Sequence, residues 1–177
     1  MLNNEVEDLQ VIALPGYDPE IGRWLWALED TRRDTLTCLE GLTDEDLETL
    51  PPGADNRIGS LLYHIAIVEV GWLYFQVLEG QKPFPTGFGA LFPVEPLDEQ
   101  EHLTSVHGAT LQEHIQRLEK VRANLMEKFL SIDIEDFRRV RYLPEENVTP
   151  EWVVHHLIQH EAEHRGHIQT VRHLLGK

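Results

Sequence analysis

A chain of 177 residues, 41% hydrophobic and 26% charged, is long enough for one domain around one core, since single domains commonly hold about 100 to 200 residues. Its formal net charge of -16 argues against nucleic acid and anionic membrane surfaces as partners, because affinity for phosphate backbones comes from Lys and Arg patches. The single cysteine, Cys38, excludes an intramolecular disulfide and a cysteine-built zinc site, so any metal must be held by His or carboxylate.

The acidic start "MLNNEVEDLQ" has neither a basic n-region nor a long apolar h-region, and no uninterrupted apolar run reaches the roughly 18 residues of a bilayer span. The expectation is a soluble, cytoplasmic protein. Helix one is predicted over about Pro19 to Glu40, with Asp18 as N-cap, Pro19 at the first helical position and Gly41 just past the end. Thr43 and Asp46 form a shortened capping box for a helical turn that Pro51 and Pro52 stop. Helix two runs from about Asn56 to Glu79, capped by Asp55 or Asn56 and closed at Gly80. The next stretch, 81–97, is rich in Pro and Gly and carries Phe84, Phe88, Leu91 and Phe92. It reads as a long loop, either an Ω-like loop pinned to the helices by its aromatics or a lid over a substrate. Helix three covers about Gly108 to Ile132, where Leu111, Ile115, Leu118, Leu125 and Phe129 recur at helical spacing. "FRRVRYL" alternates like a strand but has no partner of similar quality, so it is read as an extended connection. Thr149 and Pro150 open helix four, which ends near Leu175. The fold expected is all-α: a four-helix bundle with a long loop between helices two and three, as one domain over 1–177.

In such bundles metal sites are built from side chains on facing helices. Each helical residue turns by about 100°, so with His160 at zero His164 falls near +40°, inside the stripe of Val153, Leu157, Val171 and Leu175. His156 and His167 fall near -40° and -20°, which lines four histidines along one face. His167 is expected to line the pocket. In helix two His64 lies between Leu61, Val68, Trp72 and Phe75 on its own face and also points inward. A lone inward histidine is usually a hydrogen-bonded core residue, but beside an inward His-x-x-x-His pair it completes an open three-imidazole site of the catalytic kind. Glu161, at the edge of the stripe, is the candidate proton acceptor or imidazole-holding group, set against a solvated helix charge; Glu69 is placed on the surface.

"HEAEH", His160 to His164, matches the H-E-x-x-H letters of zinc proteases, yet only "RGHIQTVRHLLGK" follows and leaves no room for the usual downstream ligand. The same residues carry a different resemblance. "LLYHIAIVE" together with "HHLIQHEAEHRGHIQTVRHLLG", opened by "WLWALEDTRRDTLTCLEGL", is similar to the DinB/YfiT family of metal-binding four-helix bundles over nearly the whole chain. That resemblance implies that His64, His160 and His164 are the metal ligands, that the ion is divalent, zinc or nickel, and that the protein is a homodimer. It implies thiol-dependent transferase or isomerase chemistry in the members whose function is known, and no DNA binding. His167 departs from the Gln common in the family at that place.

The leading expectation is therefore a metal-dependent enzyme, of thiol-dependent transferase or hydrolase type, acting on a small molecule, with a low-molecular-weight thiol as the expected partner. Its competitor is a non-catalytic metal-binding or stress-response bundle, and behind both stands a structural bundle with core histidines.

Overall fold

A computed structural model describes residues 9–80 and 83–177; residues 1–8, on which the leader argument rested, and the first two residues of the 81–97 loop lie outside the described residues. The architecture is the expected all-α bundle. Its four long members are α1 (Pro19–Thr37), α3 (Ile58–Gly71), α5 (Leu111–Phe129) and α7 (Pro150–Leu174), with short helices α2 (Asp44–Glu48), α4 (Phe88–Leu91) and α6 (Ile134–Arg138) in the connections.

Local chemistry sets most of the boundaries. Asp18 Oδ1 accepts the Glu20 amide at 2.9 Å ahead of Pro19, and Thr149 Oγ1 accepts the Trp152 amide at 3.1 Å ahead of Pro150, so two of the helices start at capped prolines. Thr43 with Asp46 and Thr110 with Glu113 form complete capping boxes. The start of α3 differs from expectation: neither Asp55 nor Asn56 caps it, and Arg57 occupies the cap without a side-chain bond. At Gly22 the incoming chain crosses α1 so closely that an added Cβ would stand 2.9 Å from the backbone N and O of Leu14, whose amide donates to the Gly22 carbonyl.

Helix α3 continues without a break into a π-helical segment, Trp72–Val77, where the Leu78 amide reaches the Leu73 carbonyl five residues back. A π turn advances each residue by less than the α-helical 100°, so the face carrying His64 drifts beyond Trp72. Phe75, expected on that face, is instead 56% exposed. The combined stretch Ile58–Val77 is long and apolar enough to cross a membrane, but 67% of its apolar window is buried, as in a core helix.

The core lies between the four long helices: Ile21, Leu25 and Leu28 of α1, Leu61, Leu62 and Ile65 of α3, Leu118, Val121 and Leu125 of α5, and Val153, Leu157, Ile168 and Val171 of α7. Helix α7 packs on α1 and α3, and α3 also packs on α5. "FRRVRYL" is not a plain extended connection. It ends α6 and then enters a two-residue strand, β1 (Arg141–Tyr142), which pairs antiparallel with β2 (Asn147–Val148). Arg141 is buried beneath this hairpin and bonds the Val77 and Asp136 carbonyls, a tie that alternation alone does not signal.

The described part of the long loop is pinned by its aromatics, as in the Ω-like reading. Phe84 packs on Tyr74 and Phe75, Phe92 packs edge-on against Tyr63, Tyr63 donates to the Val94 carbonyl, and Arg117 Nε donates to Leu91 O. These anchors cover the seam between α3 and α5. His64 faces α7 instead, so among the described residues the loop does not stand beside the histidines as a lid.

Candidate metal centre

Between Leu157 and Ile168 the buried stripe of α7 is not aliphatic: the residues facing the bundle there are His160, Glu161 and His164. A 3.6-residue period puts the two imidazoles one turn apart on the side toward α3 and turns the carboxylate toward α1 and α5. His64 of α3 meets them, its ring centroid 5.1 Å from His160 and 4.9 Å from His164. One ring nitrogen from each of the three lies within 4.8 Å of the others, and all three side chains are half-buried. The Nε2 atoms of His160 and His164 are 3.1 Å apart and face one point.

This arrangement fits a divalent ion. Four-coordinate zinc with bonds near 2.0–2.1 Å places its nitrogens about 3.3 Å apart, within small side-chain adjustments of the geometry seen. Ligation needs neutral imidazole, and the site enforces it. Burial, helped by the neighbouring His164, His64 and His156, pushes His160 down to about 3; burial, with His64 and His167, pushes His164 down to about 4; burial alone lowers His64. His64 Nδ1 is buried without a hydrogen-bond partner, a loss that protein interiors normally avoid.

The flanks of the histidines differ. On one side His156 stacks on Trp152 at 5.1 Å with an interplanar angle of 5°, and Trp72 lies 4.5 Å from the same imidazole. On the other, His167 Nδ1 lies 3.3 Å from His164 Nδ1, and His167 with Thr170, Gly53 and Asn56 lines a small groove of about 110 Å³. His167 thus lines this groove and touches a ligand candidate. Asp55 and Asn56 border both this groove and a larger polar cleft of about 590 Å³ that includes Arg57, Ser60 and Ser105 but none of the three histidines.

The two glutamates correct the sequence reading. Glu161 is neither a solvated charge nor joined to the imidazoles: at 2% exposure its Oε1 accepts from Arg32 Nε at 2.6 Å and its Oε2 from Arg122 Nη2 at 3.0 Å. Glu69, placed on the surface from sequence, is also 2% exposed and accepts from Arg122 Nε at 2.9 Å and Arg32 Nη2 at 2.8 Å. The guanidinium of Arg32 also donates to Leu118 O, and that of Arg122 to Leu28 O and Glu29. Each long helix supplies one member of this buried layer: Arg32 from α1, Glu69 from α3, Arg122 from α5 and Glu161 from α7. Burial by itself raises the Glu69 carboxyl, but Arg122 and Arg32 outweigh it and hold the group below the usual carboxylate range. Burial lowers Arg122 and the carboxylates more than reverse that, raising it above the ordinary arginine value. Through Glu161, next to His160 in sequence, the layer ties α7 to Arg32 and Arg122, and both arginines tie on to Glu69 of α3.

A four-helix bundle with three inward histidines on two facing helices defines a DinB-like protein with a candidate metal site. The chain belongs to the mycothiol-S-transferase family, whose family model matches residues 25–176, from within α1 to the end of α7, and includes the three histidines. That family is DinB-like and metal-dependent, and its chemistry is thiol-dependent transfer with a small thiol as substrate. No curated protein matches the chain. Among solved structures, a conserved protein of a locus from Enterococcus faecalis superposes with a TM-score of 0.66 at 20% identity, covering 87% of this chain and 96% of its own, a likeness of fold.

Proposed function

We propose that His64, His160 and His164 hold one divalent ion, zinc or nickel, and that the protein is a metal-dependent transferase joining a low-molecular-weight thiol to a small acceptor. The observation that carries this reading is the convergence of three imidazole nitrogens within 4.8 Å, one ring having an orphaned buried nitrogen, in a chain of this family. An ion held by three neutral ligands keeps its full double charge, which lowers the pKa of a thiol or water brought to it. The chain's own residues do the rest. His156, Trp72 and Trp152 stack together on one flank, while a groove at Gly53–Asn56 and Thr170 borders the other. Asp55 and Asn56 border both this groove and the polar cleft, whose Arg57, Ser60 and Ser105 suit the polar body of a small thiol. Glu161 is not the base in this scheme, since both its oxygens are held by arginines.

The test is a transferase screen on metal-loaded protein, with mycothiol, cysteine and coenzyme A offered separately against a chromogenic electrophile. Metal-dependent turnover with at least one thiol is the expected result. Metal-loaded protein that neither turns over nor binds any of them would leave the non-catalytic metal-binding reading in its place.

The same proposal takes the chain as one domain, cytoplasmic, without nucleic-acid or membrane partners, and assembled as a homodimer. The dimer rests on the likeness to DinB/YfiT proteins and on the commonness of twofold oligomers. Light scattering across a concentration series should return twice the chain mass of 20.5 kDa, and a monomer mass throughout would reject it.

A further inference from the structure

We propose that His167 is a positioning residue for the metal site: its Nδ1 accepts a hydrogen bond from His164 Nδ1–H and so fixes the tautomer and ring angle that turn His164 Nε2 toward the ion. This rests on the metal reading above and goes beyond the three ligands. Of the two nitrogens of His164, Nε2 is committed to the point it shares with His160 Nε2, 3.1 Å away. Its proton must therefore sit on Nδ1. That atom has His167 Nδ1 as its partner, at 3.3 Å, from one turn further along α7. His167 in turn carries its own proton on Nε2.

Imidazoles that ligate a metal commonly donate their second N–H to an acceptor that orients the ring and raises its basicity, and losing such an acceptor typically lowers metal affinity by about 10–100-fold. A carboxylate or backbone carbonyl is the usual acceptor. Here the backbone carbonyls of α7 are committed to helical bonds, and the two nearest carboxylates in sequence are turned elsewhere, Glu161 into the buried layer and Glu163 out to solvent. An imidazole three residues on, on the same face, is what remains to do the task. His167 is not itself one of the converging ligand atoms, because its bonded nitrogen lies on the far side of the His164 ring from His160.

The experiment compares His167→Ala and His167→Asn with the unaltered protein, each stripped with chelator and titrated with Co²⁺ against a competing chelator while the visible ligand-field bands are recorded. His167→Ala should bind one Co²⁺ per chain about 10–100-fold more weakly, with altered bands. Asn places an acceptor oxygen, Oδ1, at the reach of the imidazole Nδ1, so His167→Asn should lie within about threefold of the unaltered protein. His167 is exposed, and both metal-free variants should melt with it. Ala binding Co²⁺ as tightly as the unaltered protein would overturn the positioning role while leaving the metal site standing. Asn failing as badly as Ala would also overturn it, by making the imidazole itself a ligand. Unaltered protein that takes up no Co²⁺ would remove the metal reading and this inference together.

Discussion

Replacing Arg122 with Met lowers the stability of the metal-free protein by about 3–5 kcal/mol, the cost expected when one partner of a buried ion pair is removed and its counter-charges stay behind. Arg122 is the sharpest probe because its guanidinium serves Glu69 twice, Glu161, Glu29 and the Leu28 carbonyl. Its side chain is 6% exposed and those of Glu69 and Glu161 are 3% and 2%, so solvent screens little of the loss. A shape-matched change that removes charge from both sides, Arg122→Met with Glu69→Leu, should cost clearly less than the sum of the single changes, because Arg32 and Glu161 stay paired in the core and only the part-exposed Glu29 loses its partner. Urea unfolding of the four proteins measures the coupling, and a loss below about 1 kcal/mol for Arg122→Met would show that the layer adds nothing beyond its packing. The pH dependence has a definite sign. Arg122 and Arg32 depress the folded pKa of Glu69, so its contribution is complete above the unfolded carboxylate value near 4.3 and is lost as pH falls below it toward the folded value.

This layer is the part of the molecule that a helical wheel conceals. Glu69 lies about 140° from His64, which looks like the outer face if only one stripe is compared. Helix α3, however, is buried nearly all round: Ile58, Leu61, Leu62, Tyr63, Ile65, Ala66 and Val70 leave no polar face for a charge to occupy. A glutamate in such a helix has to be paired, and the matching signal was present in Arg32, spaced with Leu25, Leu28 and Thr35, and in Arg122, spaced with Leu118, Leu125 and Phe129. The histidines were legible for the opposite reason. His160 and His164 sit on a regular α-helix where i, i+4 spacing forces them together, and His64 precedes the π segment, so the 100° count still holds there. Past Trp72 it does not, which is why Phe75 was misplaced. The β1–β2 hairpin was missed because two-residue strands carry too little alternation to be read, and the buried Arg141 beneath it supplies ties that no local pattern encodes.

Alanine at His160 or at His164 should reduce the metal content of protein purified without an affinity tag from about one ion per chain to near zero, and should abolish metal-dependent turnover. Two imidazoles are left in each case, short of the three-ligand set that holds a catalytic ion with one position open. Thermal melting gives an independent readout. Metal at 100 times its dissociation constant stabilises the unaltered protein by about 2.7 kcal/mol through mass action, and neither variant should respond. Acid provides a second. The folded pKa values of His160, about 3, and His164, about 4, lie below the unfolded value near 6.5, so the unfolded chain binds more protons in between. Their effect is absent above about pH 6.5, and the metal-free protein loses stability progressively as pH falls from there to about 4 for His164 and about 3 for His160. His160→Ala removes the largest of these mismatches, and its stability should fall less steeply across that window than that of the unaltered protein. Metal content equal to that of the unaltered protein in both alanine variants would dismiss the site, whatever the acid profiles show.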